Sequence, residues 1–194
     1  MRNVIIFIAV ILASTLLTIP AFAAGPWKGR ILDIETKEPL EGAVVLAVWQ
    51  RVHRTPTGSD PYFYEAKEVL TDKEGRFVIP SYRPINLLPI ISSMRGPLFT
   101  IFKPGYGSVS DQRLEGYFTD DGQAIQDYEL DGKRYRFALG VIELPKLKTR
   151  EEREKIISFP SMIPDDKMPK LIKLMNKEAV ALGFDPSHVQ GGAK

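Results

Sequence analysis

The sequence predicts a mainly β protein, an antiparallel β-sandwich with a C-terminal α-helical extension. Short β-prone runs separated by Gly, Pro and Asp fill residues 27–144. Helical periodicity appears only after Pro145. The hydrophobic and charged fractions, 44% and 26%, are ordinary for a globular chain. Several short strands with turn signals and no helix between them favour two packed antiparallel sheets.

The composition excludes several classes of protein. A chain of 194 residues allows one ordinary domain with additions. The absence of Cys excludes disulfides, thiolate-bound metals, thiol nucleophiles and a lipid anchor carried on Cys. Because 26 Lys and Arg nearly balance 24 Asp and Glu, no nucleic-acid partner is expected. The two histidines, His53 and His188, are far apart in the chain, so we expect neither a shared metal site nor a cofactor.

Residues 1–23 are predicted to be a signal peptide. Arg2 is the only charge, an apolar run follows, and Ala21 and Ala23 form the small-x-small pattern of a cleavage site. An uncleaved membrane anchor is the alternative, because the run nearly reaches the ~20 residues that span a bilayer. Cleavage would leave a periplasmic or secreted protein with no stable membrane insertion.

The strands are predicted from β-prone runs and from the turns between them. The residues Asp72–Gly75 indicate a tight connection, since Gly adopts positive φ at little cost. The last run alternates apolar and polar residues most regularly. The predicted strands are Trp27–Ile34, Ala43–Val52, Phe63–Thr71, Arg76–Ile79, Leu98–Lys103 and Arg134–Ile142.

Two helices are predicted in the extension, which covers residues 146–186, and residues 187–194 are predicted to be a flexible tail. Thr149 and Glu152 have the spacing of a capping box and begin a helix through about Ser158. A second helix is expected from Asp165 to Gly183. Its apolar face includes Leu171, Met175 and Leu182, whereas Lys170, Lys173 and Lys177 lie elsewhere on the helix.

Both faces of the second predicted strand are apolar. Val44, Leu46 and Val48 alternate with residues that are apolar as well. A strand of this kind needs a cover on each side. We therefore expect the Leu171, Met175 and Leu182 face of the second helix to pack on this strand. Docking of that helix on another protein is the alternative.

Three sequence blocks carry a family resemblance. They are GRILDIETKEPLEGAVVLA, LTDKEGRFVIP and the six residues 101–106. The residues that match are Gly29, Pro39, Gly42, Ala43, Thr71, Asp72, Gly75, Phe77, Pro104, Gly105 and Tyr106. In this order the blocks resemble the carboxypeptidase regulatory-like domain family, whose fold is a transthyretin-like (prealbumin-like) β-sandwich. The resemblance implies such a domain over residues 24–145, with a folding or binding role and no catalysis. The helical extension and the long segment between the second and third blocks depart from the family pattern.

Two groups of residues are candidates for binding. The first comprises Trp49, His53, Tyr62 and Tyr64, which flank one predicted loop and would suit stacking on a sugar or capture of a peptide. The alternative is that Trp49 is a core residue and the tyrosines are ordinary strand residues. The second group lies in residues 81–97, which prolines interrupt, so neither a regular helix nor a central strand is expected there. Its candidate residues are Tyr82, Arg83, Leu87 and Leu88. They would form a partner-binding patch or a loop folded over a sheet edge.

No catalytic residue is predicted. The chain lacks a nucleophile motif such as G-x-S-x-G. The spacing of Asp111, Asp120, Asp121, Asp127 and Asp131 fits no calcium loop, so solvated turns are expected. The predicted function is an exported, non-catalytic interaction module with a protein or glycan partner in the cell envelope. The alternatives are a small extracytoplasmic hydrolase with a site near His53 and a purely structural envelope component.

Overall fold

The computed structural model describes residues 25–55, 58–87, 89–114, 117–118, 126–130, 132–158, 160 and 162–185. The predicted signal peptide with Ala21 and Ala23, the candidate Leu88, and the predicted tail lie outside these residues. Among the acidic residues, Asp120, Asp121 and Asp131 also lie outside them.

Strands dominate the described residues. The strands are β1 (Trp27–Asp33), β2 (Val44–Thr55), β3 (Gly58–Leu70), β4 (Arg76–Ile79), β5 (Ser92–Phe102), β6 (Val109–Gln112), β7 (Gln126–Leu130), β8 (Lys133–Ala138) and β9 (Val141–Leu144). The helices are α1 (Arg150–Lys155) and α2 (Pro169–Ala181), with a 3-10 turn at Asp165–Lys167 before α2. The prediction of a mainly β chain is confirmed. Within the described ranges, no helix is long and apolar enough to span a membrane.

The strands form two sheets. One sheet has five strands in the order β4-β1-β9-β8-β7, and the other has four in the order β3-β2-β5-β6. The expectation of purely antiparallel sheets is wrong in one place, because β1 and β9 pair in parallel from Arg30↔Val141 to Asp33↔Leu144. All four strands of the other sheet lie between β1 and β9 in the sequence. That long excursion is the kind of connection that lets two strands run in the same direction.

The two sheets enclose one core. Trp27, Ile31 and Ile142 from the five-stranded sheet belong to the same buried cluster as Trp49 and Phe99 from the four-stranded sheet. The rings of Trp27 and Trp49 lie 5.6 Å apart, centroid to centroid, across the interior. Burial of large aromatic side chains from both sheets stabilises their association.

A second buried cluster covers the other face of the four-stranded sheet. Val44, Leu46, Val48 and Phe102 pack there against the segment that contains α2, through Ile163, Met168, Leu171 and Met175. The prediction that the second helix covers this face is confirmed for Leu171 and Met175. Leu182 is buried as well, but it lies outside this cluster. The apolar pattern on both faces of β2 is thereby explained, since each face has its own cover.

One predicted strand is two strands. The run Arg134–Ile142 was expected to be continuous, whereas β8 ends at Ala138 and β9 begins at Val141. Phe137 pairs with Ile142 and Ala138 with Val141 across the turn. A two-residue turn leaves the alternation of apolar and polar residues unbroken, so periodicity does not reveal it.

The prediction for residues 81–97 is also wrong in part. Its last six residues belong to β5, which begins at Ser92 and lies between β2 and β6, so the expectation of no central strand is wrong there. Pro97 fits because the pairing of β2 with β5 shifts register between Val48 and Gln50, opposite this proline. A bulge of this kind accepts a residue that lacks a backbone N–H.

Other element bounds differ from the predictions. Strand β3 begins at Gly58 and not at Phe63, and β6 and β7 were not predicted. The capping box of Thr149 and Glu152 is confirmed, but α1 ends at Lys155, before Ser158. The second predicted helix is split, because the 3-10 turn comes before Met168, whose φ of −139° separates it from α2.

Residues of the three sequence blocks form turns and stabilise them. Gly42 and Gly75 have φ of +69° and +70°, as expected, and a Cβ on Gly75 would lie 2.5 Å from the carbonyl oxygen of Ile31. The buried hydroxyl of Thr71 accepts from the N–H of Ala43 at 2.9 Å and donates to the carbonyl of Leu40. These contacts fix the chain at the start of β2 and the end of β3.

Candidate functional site

The far half of the β2–β3 hairpin carries the predicted aromatic group. Beyond the register shift at Trp49 and Gln50, Arg51 lies opposite Tyr62 and His53 lies opposite Asp60. Tyr64 and Tyr82 pack against the edge of the shared core and remain partly exposed. The side chains of Arg51, His53, Tyr62, Tyr64 and Tyr82 are called the distal surface below.

Trp49 is not part of this surface. Its side chain is 1% exposed, so its ring is closed to a ligand, and it belongs to the shared core. Its ring lies 4.8 Å from the ring of Tyr82 in an edge-on arrangement. Trp49 therefore packs against Tyr82 from within the core. A core position for Trp49 is the alternative to a binding role that the sequence left open.

His53 and Tyr62 form a coupled pair. The Tyr62 hydroxyl and the His53 Nε2 are hydrogen bonded. Their rings lie 4.7 Å apart at an interplanar angle of 64°. Which of the two groups donates depends on the imidazole tautomer, and a protonated His53 can only donate. The bond fixes the orientation of both rings at the surface.

Two tyrosine rings of the distal surface lie under cations. The Arg51 guanidinium lies 4.9 Å from the centroid of the Tyr64 ring, and the Lys67 amino group lies 4.7 Å from that of Tyr82. Contacts of this geometry are attractive because the ring face is negative. Burial, followed by the proximity of Tyr64, raises the pKa of Tyr82, so its hydroxyl stays neutral at physiological pH.

An exposed apolar segment adjoins the distal surface. Ile85, Leu87, Ile90 and Ile91 are 65%, 81%, 88% and 52% exposed, and they are called the apolar loop below. Apolar side chains grouped at this level of exposure are typical of interaction sites.

Hydrogen bonds attach the apolar loop to the scaffold. The Tyr64 hydroxyl donates to the Ile85 carbonyl at 3.2 Å, and the Arg54 N–H donates to the Ile91 carbonyl at 3.0 Å. Between them, the Asn86 side chain donates to the Ser92 carbonyl at 2.8 Å. The loop is therefore anchored at both of its ends to the β2–β3 hairpin, and Asn86, next to its first end, joins it to β5.

The neighbourhood of the distal surface carries more positive than negative charge. The basic residues there are Arg51, Arg54, Lys67 and Arg83. The nearby acids are Asp60, opposite His53, and Glu65, whose carboxylate already pairs with Lys167 at 3.2 Å. Arg83 and Arg54 are exposed, so an approaching group meets their charge in water. The arrangement favours negatively charged groups in a partner.

The remaining candidates are scattered. Asp111 and Asp127 lie in strands and not in turns, and Asp127 pairs with Arg136 at 2.8 Å on the edge of the five-stranded sheet. Among the described residues, no group of three or more His, Asp or Glu side chains is placed to hold a metal ion. The fold therefore brings His53, Tyr62 and Tyr64 of the first predicted group together with Tyr82 of the second group. Leu87 is exposed on the adjoining loop.

The sequence does not predict the cations that lie over the rings. Arg51 and Lys67 were not predicted, because their positions over Tyr64 and Tyr82 depend on the register shift at Trp49. Pairing β2 and β3 from the loop between them would have placed Arg51 near the tyrosines.

Comparison with protein-family models, with curated proteins and with solved structures finds no match to this chain.

Proposed function

We propose that this chain is an exported, non-catalytic interaction module that binds an acidic, apolar segment of a protein in the cell envelope. The distal surface and the apolar loop form the binding site. The observation that carries the proposal is the exposure of four aliphatic side chains on a loop that is hydrogen bonded to the β2–β3 hairpin and to β5.

A protein partner is favoured over a glycan. Sugars stack on free aromatic faces, whereas a face of Tyr64 and a face of Tyr82 are already occupied by Arg51 and Lys67. The most exposed side chains, Leu87 and Ile90, are aliphatic and suit apolar protein side chains. Protein interfaces combine an apolar centre with a polar and aromatic surround of this kind.

An acidic partner follows from the charges around the loop. Arg54 and Arg83 are exposed, and no salt bridge joins either of them to a carboxylate among the described residues. Carboxylates of a partner would meet them at the rim, where complementary charge accelerates association and selects the partner. The apolar loop would supply most of the buried area.

The fold class within this proposal is a transthyretin-like β-sandwich of the carboxypeptidase regulatory-like type. Two sheets around one core and the turns at Gly42, Gly75 and Gly105 support it. Export is proposed from residues 1–23, whose apolar run and alanine pattern resemble a cleavable signal.

Photo-cross-linking in living cells tests the binding site. A photoreactive residue replaces Leu87 or Ile90, and the same residue at Val180, which is 54% exposed on α2, is the matched control. We expect one discrete cross-linked protein from positions 87 and 90, absent at 180, whose contact peptide contains Asp or Glu beside apolar residues. Cross-links within the chain alone, or equal products from all three positions, would contradict the proposal.

A small hydrolase is the second candidate, and the hydrogen bond between His53 and Tyr62 favours it. An imidazole whose orientation is fixed by a phenol is able to move a proton. If the purified protein turns over an ester or amide and His53→Ala removes that activity while Leu87→Asp leaves it intact, the hydrolase is supported. Turnover that survives His53→Ala would exclude this site.

A further inference from the structure

A cleft lies away from the distal surface, between the helices and the turn after β5. Its volume is about 320 Å³, and its lining includes Gly105, Lys146, Arg153, Lys177 and Glu178. A volume of this size falls within the range of small-molecule sites. Three of these five residues are cations.

The back of the cleft is held by hydrogen bonds and is electrically balanced. The Arg153 Nε and Nη2 donate to the two carboxylate oxygens of Glu178 at 2.6 and 2.9 Å. The Gly105 N–H also donates to Glu178, at 3.2 Å, and the Leu147 N–H donates to the Gly105 carbonyl at 2.9 Å. Because Glu178 is 1% exposed and both of its oxygens are bonded, it offers little charge to a further cation.

The two lysines of the cleft are not neutralised in this way. Among the described residues, no carboxylate lies within 4.0 Å of the amino group of Lys146 or Lys177. The charge of Lys146 also acts on Asp33, a buried carboxylate that accepts hydrogen bonds from the N–H groups of Glu35 and Thr36. The Asp33 carboxylate therefore stabilises the turn that follows β1.

A third lysine adds to the positive field. Lys103 follows β5 and donates from Nζ to the carbonyl of Glu41. Burial, followed by the charge of Lys177, lowers the pKa of Lys103, although the charge of Glu41 opposes the shift. Like charges held near one another in this way favour an anion between them.

We infer that this cleft binds a phosphate group, free or carried by a lipid headgroup, through Lys146 and Lys177. Two unpaired ammonium groups balance the charge of about −1.5 to −2 that a phosphate monoester carries near pH 7, whereas a carboxylate would balance one. Lysine binds phosphate as a point charge and needs no fork geometry. The inference does not depend on the proposed protein partner, because the two sites share no residue.

Titration of the ¹⁵N-labelled protein with methyl phosphate tests the site. We expect saturable shifts of the Gly105 and Leu147 amide signals. Lys177→Gln and Lys146→Gln should each weaken binding about fivefold, from the loss of one charge near the anion. Lys73→Gln, at an exposed turn remote in sequence from the cleft, removes the same charge and should leave the affinity within about twofold.

The remaining outcomes separate the sources of the phosphate. Saturable binding of methyl phosphate identifies a soluble monoester. Co-sedimentation with phosphatidic acid vesicles but not phosphatidylcholine vesicles, lost in Lys146→Gln with Lys177→Gln and kept in Lys73→Gln, identifies a lipid headgroup. The inference is overturned if neither probe binds, if the double variant binds as tightly as the unmodified protein, or if Lys73→Gln weakens binding equally.

Discussion

The two halves of the β2–β3 hairpin differ in a way that separates folding from binding. From Val44 to Trp49, every side chain of β2 is buried, on one face by the opposite sheet and on the other by α2. From Gln50 to Thr55, only Val52 is buried. The change begins at the register shift between Trp49 and Gln50, which affects the pairing with both β3 and β5.

One strand pair thereby supplies both a core and a surface. The first half is apolar on both faces because both faces are covered. The second half carries Arg51 and His53, which contact the rings of Tyr64 and Tyr62 at a partly exposed surface. Substitutions in the first half should therefore cost much stability, and substitutions in the second half should change binding and cost little stability.

The largest expected effect is from Trp49→Ala. Removing this fully buried ring leaves a cavity between the sheets and should lower the free energy of unfolding by about 3–5 kcal/mol. Chemical denaturation monitored by circular dichroism measures the loss. Trp49→Phe keeps an aromatic ring and should cost clearly less, whereas equal costs for both variants would contradict a packed position.

The helix side of the first half should be nearly as sensitive. Leu171→Ala removes a side chain that is 0% exposed against β2, at an expected cost of about 2–5 kcal/mol. Lys173→Ala, exposed on the same helix, is the control and should change stability by less than about 0.5 kcal/mol. A Leu171→Ala variant as stable as this control would mean that α2 does not cover the sheet in solution.

A smaller effect is expected where the hairpin meets the turn before β2. Thr71→Val replaces the buried hydroxyl and leaves the Ala43 N–H and Leu40 carbonyl without their partner. The expected cost is about 1–3 kcal/mol, and denaturant titration measures it. Thr71→Ser retains the hydroxyl and should keep most of that stability, whereas a Thr71→Val variant as stable as the unmodified protein would contradict a stabilising role for the hydroxyl.

The smallest effect on stability is expected in the second half. Arg51→Ala removes the contact with the Tyr64 ring, which is worth about 0.5–1 kcal/mol at a partly exposed site. Thermal unfolding of the variant beside Arg51→Lys, which keeps the charge, measures this difference. A loss as large as that of Trp49→Ala would erase the distinction between the halves.

The sequence allowed much of the fold to be predicted, but not where its strands end. The apolar pattern on both faces of β2 predicted the helical cover, because such a strand has no exposed face. The sequence does not predict the turn after Ala138, because a turn of two residues leaves the alternation intact. The predicted fifth strand is shorter than β5, because Pro97 argues against a central strand.

The candidate site was predicted in part. His53, Tyr62 and Tyr64 were placed together because they flank one loop, and the fold brings them together. Trp49 was added to them because it is near in sequence, yet it is buried, as it precedes the register shift. A bulge depends on packing across three strands, which local residue patterns do not encode.

The central claim is that the second half of the hairpin and the apolar loop bind a protein and contribute little to folding. The most direct test is the cross-linking yield from a photoreactive residue at position 87, compared between the unmodified protein and Arg51→Ala, with thermal stability measured on the same preparations. We predict that the yield of the cross-linked partner falls in Arg51→Ala while the melting temperature changes little. An undiminished cross-link, or a loss that only follows unfolding, would contradict the claim.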